Sequence, residues 1–454
     1  MPDKMNGANH SPCPASFLYQ NYSFSLIDER ISLMKELDLT QGSVPKVLLQ
    51  FAVPFLIANA LQALYGGADL FVVGQYDDSA SVAAVAIGSQ VMQTITGIIL
   101  GITTGTTVLI AIATGAKDDR QVASTIGSSV WLFSIIGVVL TLVMVFFHRQ
   151  IASLMHTPTE AMADTQSYIL VCSVGILFIV GYNVVCGILR GLGDSKTPLY
   201  FVGLACVINI VLDFVLVGYI HLGPTGAAIA TVTAQGVSFA IALWFLHRRG
   251  FHFEFTKRDI RLNGVLSKRV LTLGAPIALQ DALINVSFLI IIVFAMLPPI
   301  TISSAVATMT AQNYGAELIQ RMNKCFLSGI GFTLVFGLSA CLYSQFLPET
   351  LTAFFTKDPA VVAMAAEYLR GYSIDCVIVS FVFCINSYFS GQGNSLFPMI
   401  HSLIATFLFR IPLSYWFSQI DSSSLFIMGF APPISTVVSL LICIWYLRYV
   451  ARRR

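Results

Sequence analysis

The sequence predicts an all-α polytopic membrane protein. Two six-helix bundles, twelve transmembrane helices with the eighth shortened, are expected to be related by a pseudo-two-fold axis along the membrane normal. Three observations carry this expectation. The first is composition: of 454 residues, 56% are hydrophobic and 11% charged, with a mean hydropathy of +0.79, whereas soluble domains carry about 25% charged residues. The second is where the basic residues fall, and the third is an internal repeat.

Apolar runs of about 20 residues are what a helix needs to cross the hydrocarbon core. Reading them between polar breaks gives spans near 46–73, 81–114, 122–147, 165–190, 198–219 and 226–246. After a basic stretch come 270–296, 300–316, 324–347, 364–390, 397–418 and 425–447. With the amino terminus inside, 21 of the 25 Lys and Arg residues lie in cytoplasmic segments. Arg149 and Lys357 fall outside, and Arg370 and Arg410 lie within spans. Such an asymmetry is what the positive-inside rule demands of a correct span count. A multi-pass protein of the cell membrane with both termini cytoplasmic is expected.

Arg190-Gly-Leu-Gly-Asp-Ser-Lys-Thr-Pro198 after the fourth span recurs as Ser390-Gly-Gln-Gly-Asn-Ser-Leu-Phe-Pro398 after the tenth. The same shift of 200 residues aligns Tyr168 with Tyr368 and Gly115-Ala116 with Gly315-Ala316. Six spans per repeat is an even number, so both halves insert in the same direction. The expected units are a flexible cytoplasmic tail (1–45), a first lobe (46–247), a basic linker (248–269), a second lobe (270–447) and a basic carboxyl-terminal end (448–454). No signal-peptide pattern opens the chain, since Ser23–Ile27 is too short an apolar core and acids follow it. Phe51-Ala-Val-Pro54 matches Leu273-Gly-Ala-Pro276 at a shift of 222, so the second copy is 22 residues shorter between these anchors and Gly115 or Gly315. The reading puts the loss on the outer part of the eighth span. Residues 300–316 would reach ~26 Å against a core of ~30 Å, after a tight turn at Leu297-Pro-Pro.

Ionisable residues inside spans are costly and point to function. Asp69 lies near the outer end of the first span and Asp213 lies in the fifth. Asn209, four residues before Asp213, shares its helix face. Asp213 stands ~22 Å above the inner end of its span, and Asp69 and Thr231 fall at similar depth. Two carboxylates, an amide and a hydroxyl suit Na⁺, or protons if the acids are desolvated. Against this, Asn209 and Thr231 taken singly are more often interhelical glue than ligands, and Asp69 is also read as a residue facing outer water. The second half does not duplicate the set: Asn209 and Asp213 map to Phe409 and Leu413. It carries Gln280, Asp281, Asp375, Arg370 and Arg410 instead, and Arg410 is expected to pair with Asp375 or Asp281, as structure or as coupling.

Gln62, Gln90, Gln93, Asn183 and Gln235 project polar groups from apolar helices. Facing a cavity they would suit amphipathic organic molecules; otherwise they tie helices together. Thr94–Thr107, rich in Gly and Thr, reads as a close-packing helix face, because no GKS/T follows. The nine cysteines show no CxxC or ligand spacing, so no structural metal is expected. No HExxH, paired catalytic carboxylates or Ser/His constellation marks an enzyme, and no basic patch suits nucleic acid.

The chain resembles the multidrug and toxic compound extrusion (MATE) family over about residues 40–447. The resemblance rests on Pro54 with Ala68-Asp-Leu-Phe-Val-Val-Gly74, Val82-Ala-Ala-Val85, Arg190-Gly-Leu-Gly-Asp194 with Pro198, Ile208-Asn-Ile-Val-Leu-Asp213, and Gly226-Ala-Ala-Ile-Ala-Thr231. It implies antiport of amphipathic, often cationic compounds against Na⁺ or H⁺ by alternating access, with no cofactor. It implies a monomer whose partners are a drug-like small molecule and the lipid bilayer. By position it implies a cation site at Asp69, Asn209, Asp213 and Thr231, a helix bend at Pro54, and substrate contacts near Gln62 and Asn183. The alternatives are a flippase of lipid-linked precursors, or a copy impaired by its short eighth helix.

Overall fold

The computed structural model of the chain describes residues 37–256, 259–287, 290–353, 359–420 and 425–452, with the side chains of 281–296 and 360–361 outside that set. Among the described residues every regular element is a helix. The first half runs α1 (Val44–Tyr76), α2 (Ser79–Gly115), α3 (Asp119–Leu154), α4 (Met162–Val174 and Ile176–Gly191), α5 (Lys196–Tyr219) and α6 (Gly223–Arg249). The second runs α7 (Gly264–Ser287), α8 (Ile290–Gly315), α9 (Ile319–Phe346), α10 (Pro359–Gly391), α11 (Leu396–Ile420) and α12 (Met428–Ala451). Nine of these, with the two-part α4 as a tenth, pass a test of length and apolarity for crossing a bilayer. The lipid-facing sides of these helices expose large residues such as Phe146, Leu243 and Trp445. Exposure of this kind is unremarkable when hydrocarbon is the solvent.

The ends of the helices repeat as the sequence does. Lys117 and Glu317 both take positive φ, 58° and 60°, after α2 and α8, and Gly193 and Gly393 do the same after α4 and α10. Asp118 N–H donates to Ala113 as Leu318 N–H does to Asn313, and Asp194 N–H to Leu189 as Asn394 N–H does to Phe389. A left-handed residue closes each helix by capturing its last carbonyls, and glycine supplies that conformation without a Cβ clash. The two-fold relation is directly visible where α2 and α8 cross. A Cβ on Gly115 would lie 1.9 Å from the Gln312 carbonyl oxygen, and one on Gly315 would lie 1.9 Å from that of Ile112.

Three expectations change. The fourth span is not one straight helix: it bends by 51° at Gly175, where a Cβ would strike Val232 at 2.5 Å. Leu297-Pro-Pro is not a turn. Pro298 and Pro299 lie inside α8. Helices α7 and α8 share the shortening, with 24 and 26 residues against 33 and 37 in α1 and α2. At 1.5 Å per residue they still reach ~36 and ~39 Å, enough for the ~30 Å core. The eighth helix is therefore longer than the hydrocarbon core is thick. Third, residues 37–43, expected to belong to a flexible tail, are tied down. Leu37 N–H donates to Gly193 at 3.3 Å and Leu39 N–H to Gln312 Oε1 at 3.3 Å. Asn313 Nδ2 and the Arg321 guanidinium donate to carbonyls of Leu39, Gln41 and Gly42.

The repeated turn also anchors the first bundle. Asp194 accepts from the backbone N–H groups of Lys196 and Thr197 at 3.1 and 3.0 Å, from Thr197 Oγ1 at 2.6 Å, and from Arg249 at 2.6 Å. Both members of the ion pair are nearly buried, so removing the acid leaves a guanidinium and several donors unpaired. Asp194→Ala is expected to destabilise the fold by about 3 kcal/mol, read as a large drop in the thermal midpoint of the detergent-solubilised protein. At the opposite end Asp78 caps α2, accepting from Ser81 N–H at 2.8 Å, and that bond holds its carboxyl below the usual 3.8. Its capping contribution is present above that value and is lost only as pH falls through the lowered one.

Candidate functional site

Asp69 of α1, Asn209 and Asp213 of α5 and Thr231 of α6 come together inside the first bundle. They are 2%, 1% and 0% exposed for the first three, with Thr231 half-buried. Thr231 Oγ1 donates to Asp69 Oδ2 at 2.9 Å, and Asn209 Nδ2 donates to Thr231 Oγ1 at 3.3 Å. The carboxyls of Asp69 and Asp213 lie close enough to act on each other. No donor among the described residues reaches Asp69 Oδ1 or either oxygen of Asp213. Two acids with three open lone-pair faces in a dry interior require a positive charge or a proton between them.

The local sequence explains the convergence. Asn209 and Asp213 are one helical turn apart, and the helix changes to π geometry at Phe214–Tyr219, directly after Asp213. π turns recur at functional sites because they re-aim the side chains beside them. Gly226, Ala227, Ala228 and Ala230 are buried and let α6 approach α5 closely, which brings Thr231 within reach of α1. Pro54 lies inside α1, which runs as one helix from Val44 to Tyr76. A proline there removes one i→i−4 hydrogen bond and leaves a point of easy bending.

The polar residues expected to line a substrate cavity separate. Gln235 Nε2 donates to Tyr65 Oη at 3.1 Å, and Gln62 also interacts with Tyr65. These three form a cluster one turn along α1 from Asp69. Asn183 does not join it, because its amide donates to the Ile179 carbonyl of its own helix at 2.7 Å. Sequence reading missed Tyr65. Its spacing of four residues from Asp69, on the same face of α1, was the available signal.

In the second bundle, Arg410 does not form the expected ion pair with Asp375 among the described residues. Its Nε donates to Ser435 Oγ at 3.2 Å, while both line one cavity with Gln280. Asp281 has its side chain outside the described residues. Arg370 pairs with Glu349 at 3.1 Å on an exposed surface, where such a pair contributes little.

The bundles touch through small residues. Cβ atoms on Gly101 and Gly105 of α2 would lie 2.3 Å from Ala278 Cα and 2.5 Å from the Val270 carbonyl oxygen of α7, and one on Gly274 would lie 2.6 Å from Ile102 Cα. The Gly/Thr-rich stretch is thus a close-packing face. With the Gly115–Gln312 crossing and the clamped 37–43 segment, the end of the interface that carries residues 37–43 is closed.

A family model described as MatE matches residues 54–215 and 276–416. The probable multidrug resistance protein YpnP of Bacillus subtilis is 26% identical over 407 residues, covering 85% of this chain and 91% of its own length. The probable multidrug resistance protein NorM of Thermotoga maritima is 26% identical over 414 residues, covering 85% and 89%. Among solved structures, the outward-facing conformation of a multidrug resistance MATE family transporter of the MOP superfamily superposes with a TM-score of 0.85. It has 23% identity and covers 92% of this chain and 99% of that one.

Proposed function

This chain belongs to the MatE family of multidrug efflux transporters, and from that premise we propose that it is an antiporter exchanging amphipathic organic compounds for Na⁺ or H⁺. The observation that carries the proposal is the buried pair Asp69 and Asp213 with its Asn209–Thr231–Asp69 hydrogen-bond chain. A cation or proton from outside neutralises the pair. Neutralisation changes what α1 packs against, and Pro54 is the point at which α1 can yield. The cluster Tyr65, Gln62 and Gln235 lies one turn away on the same helix, so cargo bound there senses whether the acids are neutral. When cation and cargo prefer different states of α1, binding of one expels the other, which is linkage between two ligands.

The closed inner end and the overall likeness to an outward-facing relative support an outward-facing state for this conformation. Alternating access then requires the α2–α8 crossing and the α2–α7 face to separate at the inner side. Cytoplasmic termini and residence in the cell membrane belong to the same proposal, carried by the basic residues. The test is ethidium efflux in a pump-deficient host, with the Na⁺ gradient and the proton gradient collapsed separately. Efflux that stops with one gradient names the coupling ion; efflux indifferent to both removes the antiport reading.

A further inference from the structure

The second bundle holds a cavity of about 70 Å³, lined by polar and apolar side chains, that the export scheme does not use. Its wall carries one acid and one base, Asp375 from α10 and Arg410 from α11. Asp375 is 1% exposed, and its Oδ1 has no hydrogen-bond partner among the described residues. Arg410 ends the π-helical stretch Ala405–Arg410 and is steadied by Ser435. Its charge acts on Asp375 across the cavity, though no direct ion pair joins them among the described residues.

Asn386 completes the wall. Its Oδ1 is engaged by His401 Nε2 at 2.7 Å, and His401 Nδ1 meets Ser439 Oγ at 2.7 Å. That chain fixes which way the amide points, leaving Nδ2 as a buried donor without a partner. An orphan acceptor, an orphan donor and a guanidinium around a space of this size suit ordered water. A water needs only ~10–15 Å³ and two to four polar partners.

The first bundle differs in kind. A shift of 200 residues sets Gly175 against Asp375 and Ile210 against Arg410, and among the described residues no Lys or Arg acts on Asp69 or Asp213. A carboxylate in a low-dielectric interior must be balanced by a proton, a mobile cation or a tethered one. A guanidinium keeps its charge at any working pH.

We propose that Arg410 is the resident counter-cation of Asp375, held to it through ordered water, so that this cavity takes water and not an exchangeable cation. Without the guanidinium, Asp375 would stand among the oxygens of Gln280, Ser435 and Thr436, a donor set suited to an alkali cation.

The test measures binding of radiolabelled Na⁺ and Rb⁺ to the purified full-length protein in detergent. With Arg410 present, Asp375→Asn is expected to leave the bound cation per chain unchanged. Arg410→Gln is expected to raise it by about one equivalent, and adding Asp375→Asn to that variant to abolish the gain. Binding in the first bundle, whatever its size, cancels in these differences. Loss of an equivalent on Asp375→Asn alone would overturn the proposal. So would a monodisperse Arg410→Gln protein with no gain. Should that variant fold but lose stability, thermal unfolding of Asp375→Asn, Arg410→Gln and the double substitution decides. The double is expected to recover at least half the loss of the worse single, and strict additivity would overturn the pairing.

Discussion

Asp213→Asn is expected to abolish coupled efflux, by a factor of 100 or more, while the protein still reaches the membrane in normal amount. The carboxamide has the volume of the acid, so packing around α5 is retained. What is lost is the charge that pairs with Asp69 to require neutralisation. An amide neither releases a proton nor balances a cation, and the first bundle then has one acid where exchange needs two. The variant also introduces an Nδ2 donor that Asp69 Oδ1, open in the native site, can accept. This holds the site in its neutralised arrangement. Dye efflux from energised cells, normalised to protein detected in the membrane fraction, reads the effect. Efflux within twofold of the native protein would remove Asp213 from the mechanism. Thr231→Val is expected to act in the same direction but more weakly, by about tenfold. It removes one hydroxyl worth about 1–2 kcal/mol of hydrogen bonding to Asp69.

Gly115→Val is expected to be the second severe substitution, for a different reason. The added Cβ would begin 1.9 Å from the Gln312 carbonyl oxygen and 2.7 Å from its carbonyl carbon. Backbone atoms in two packed helices cannot step aside as a flexible side chain can. The inner crossing of α2 and α8 would therefore be forced apart, and the conformation closed at its inner end would lose population. Transport should fall at least tenfold, because a cycle needs both states. The discriminating readout is accessibility. A single cysteine placed at Ala311, fully buried beside the crossing, should react faster with a membrane-impermeant maleimide applied from the side that carries residues 37–43. Gly315→Val, its two-fold mate, should reproduce the effect. A transport defect without increased labelling would mean that the crossing is not a gate.

Much of this architecture was legible from residue order. The apolar runs marked α1 to α6 and α9 to α12 to within seven residues at either end, because lipid punishes any error in length or polarity. Asp69, Asn209, Asp213 and Thr231 were found together because depth along a straight helix is simple arithmetic. The failures have physical causes too. α4 bends at Gly175, where the glycine lies against Val232 of another helix, a proximity with no trace in local sequence. Pro298 and Pro299 suggested a turn, yet proline is compatible with a helix when neighbouring groups satisfy the freed carbonyls. The binding of residues 37–43 by Gln312, Asn313 and Arg321 joins positions more than 270 apart, which periodicity cannot reveal. Asn183 read as a cavity residue, but a carbonyl four residues earlier on its own helix claims its amide.

The connection between the bundles has a mechanical consequence. Trp131 Nε1 donates to the Ile260 carbonyl at 3.0 Å, Ser128 Oγ meets Ser267 Oγ at 3.0 Å, and Gly127 leaves room for the Asp259 carbonyl. All three contacts bind the stretch to α3, and α7 itself packs along α2. The stretch is thus bolted to the first half as far as Ser267 and cannot serve as a swivel. When the halves rock, flexure falls on α7 and beyond, so grafting extra residues at 251–256 should leave turnover intact, while stiffening the start of α7 should slow it.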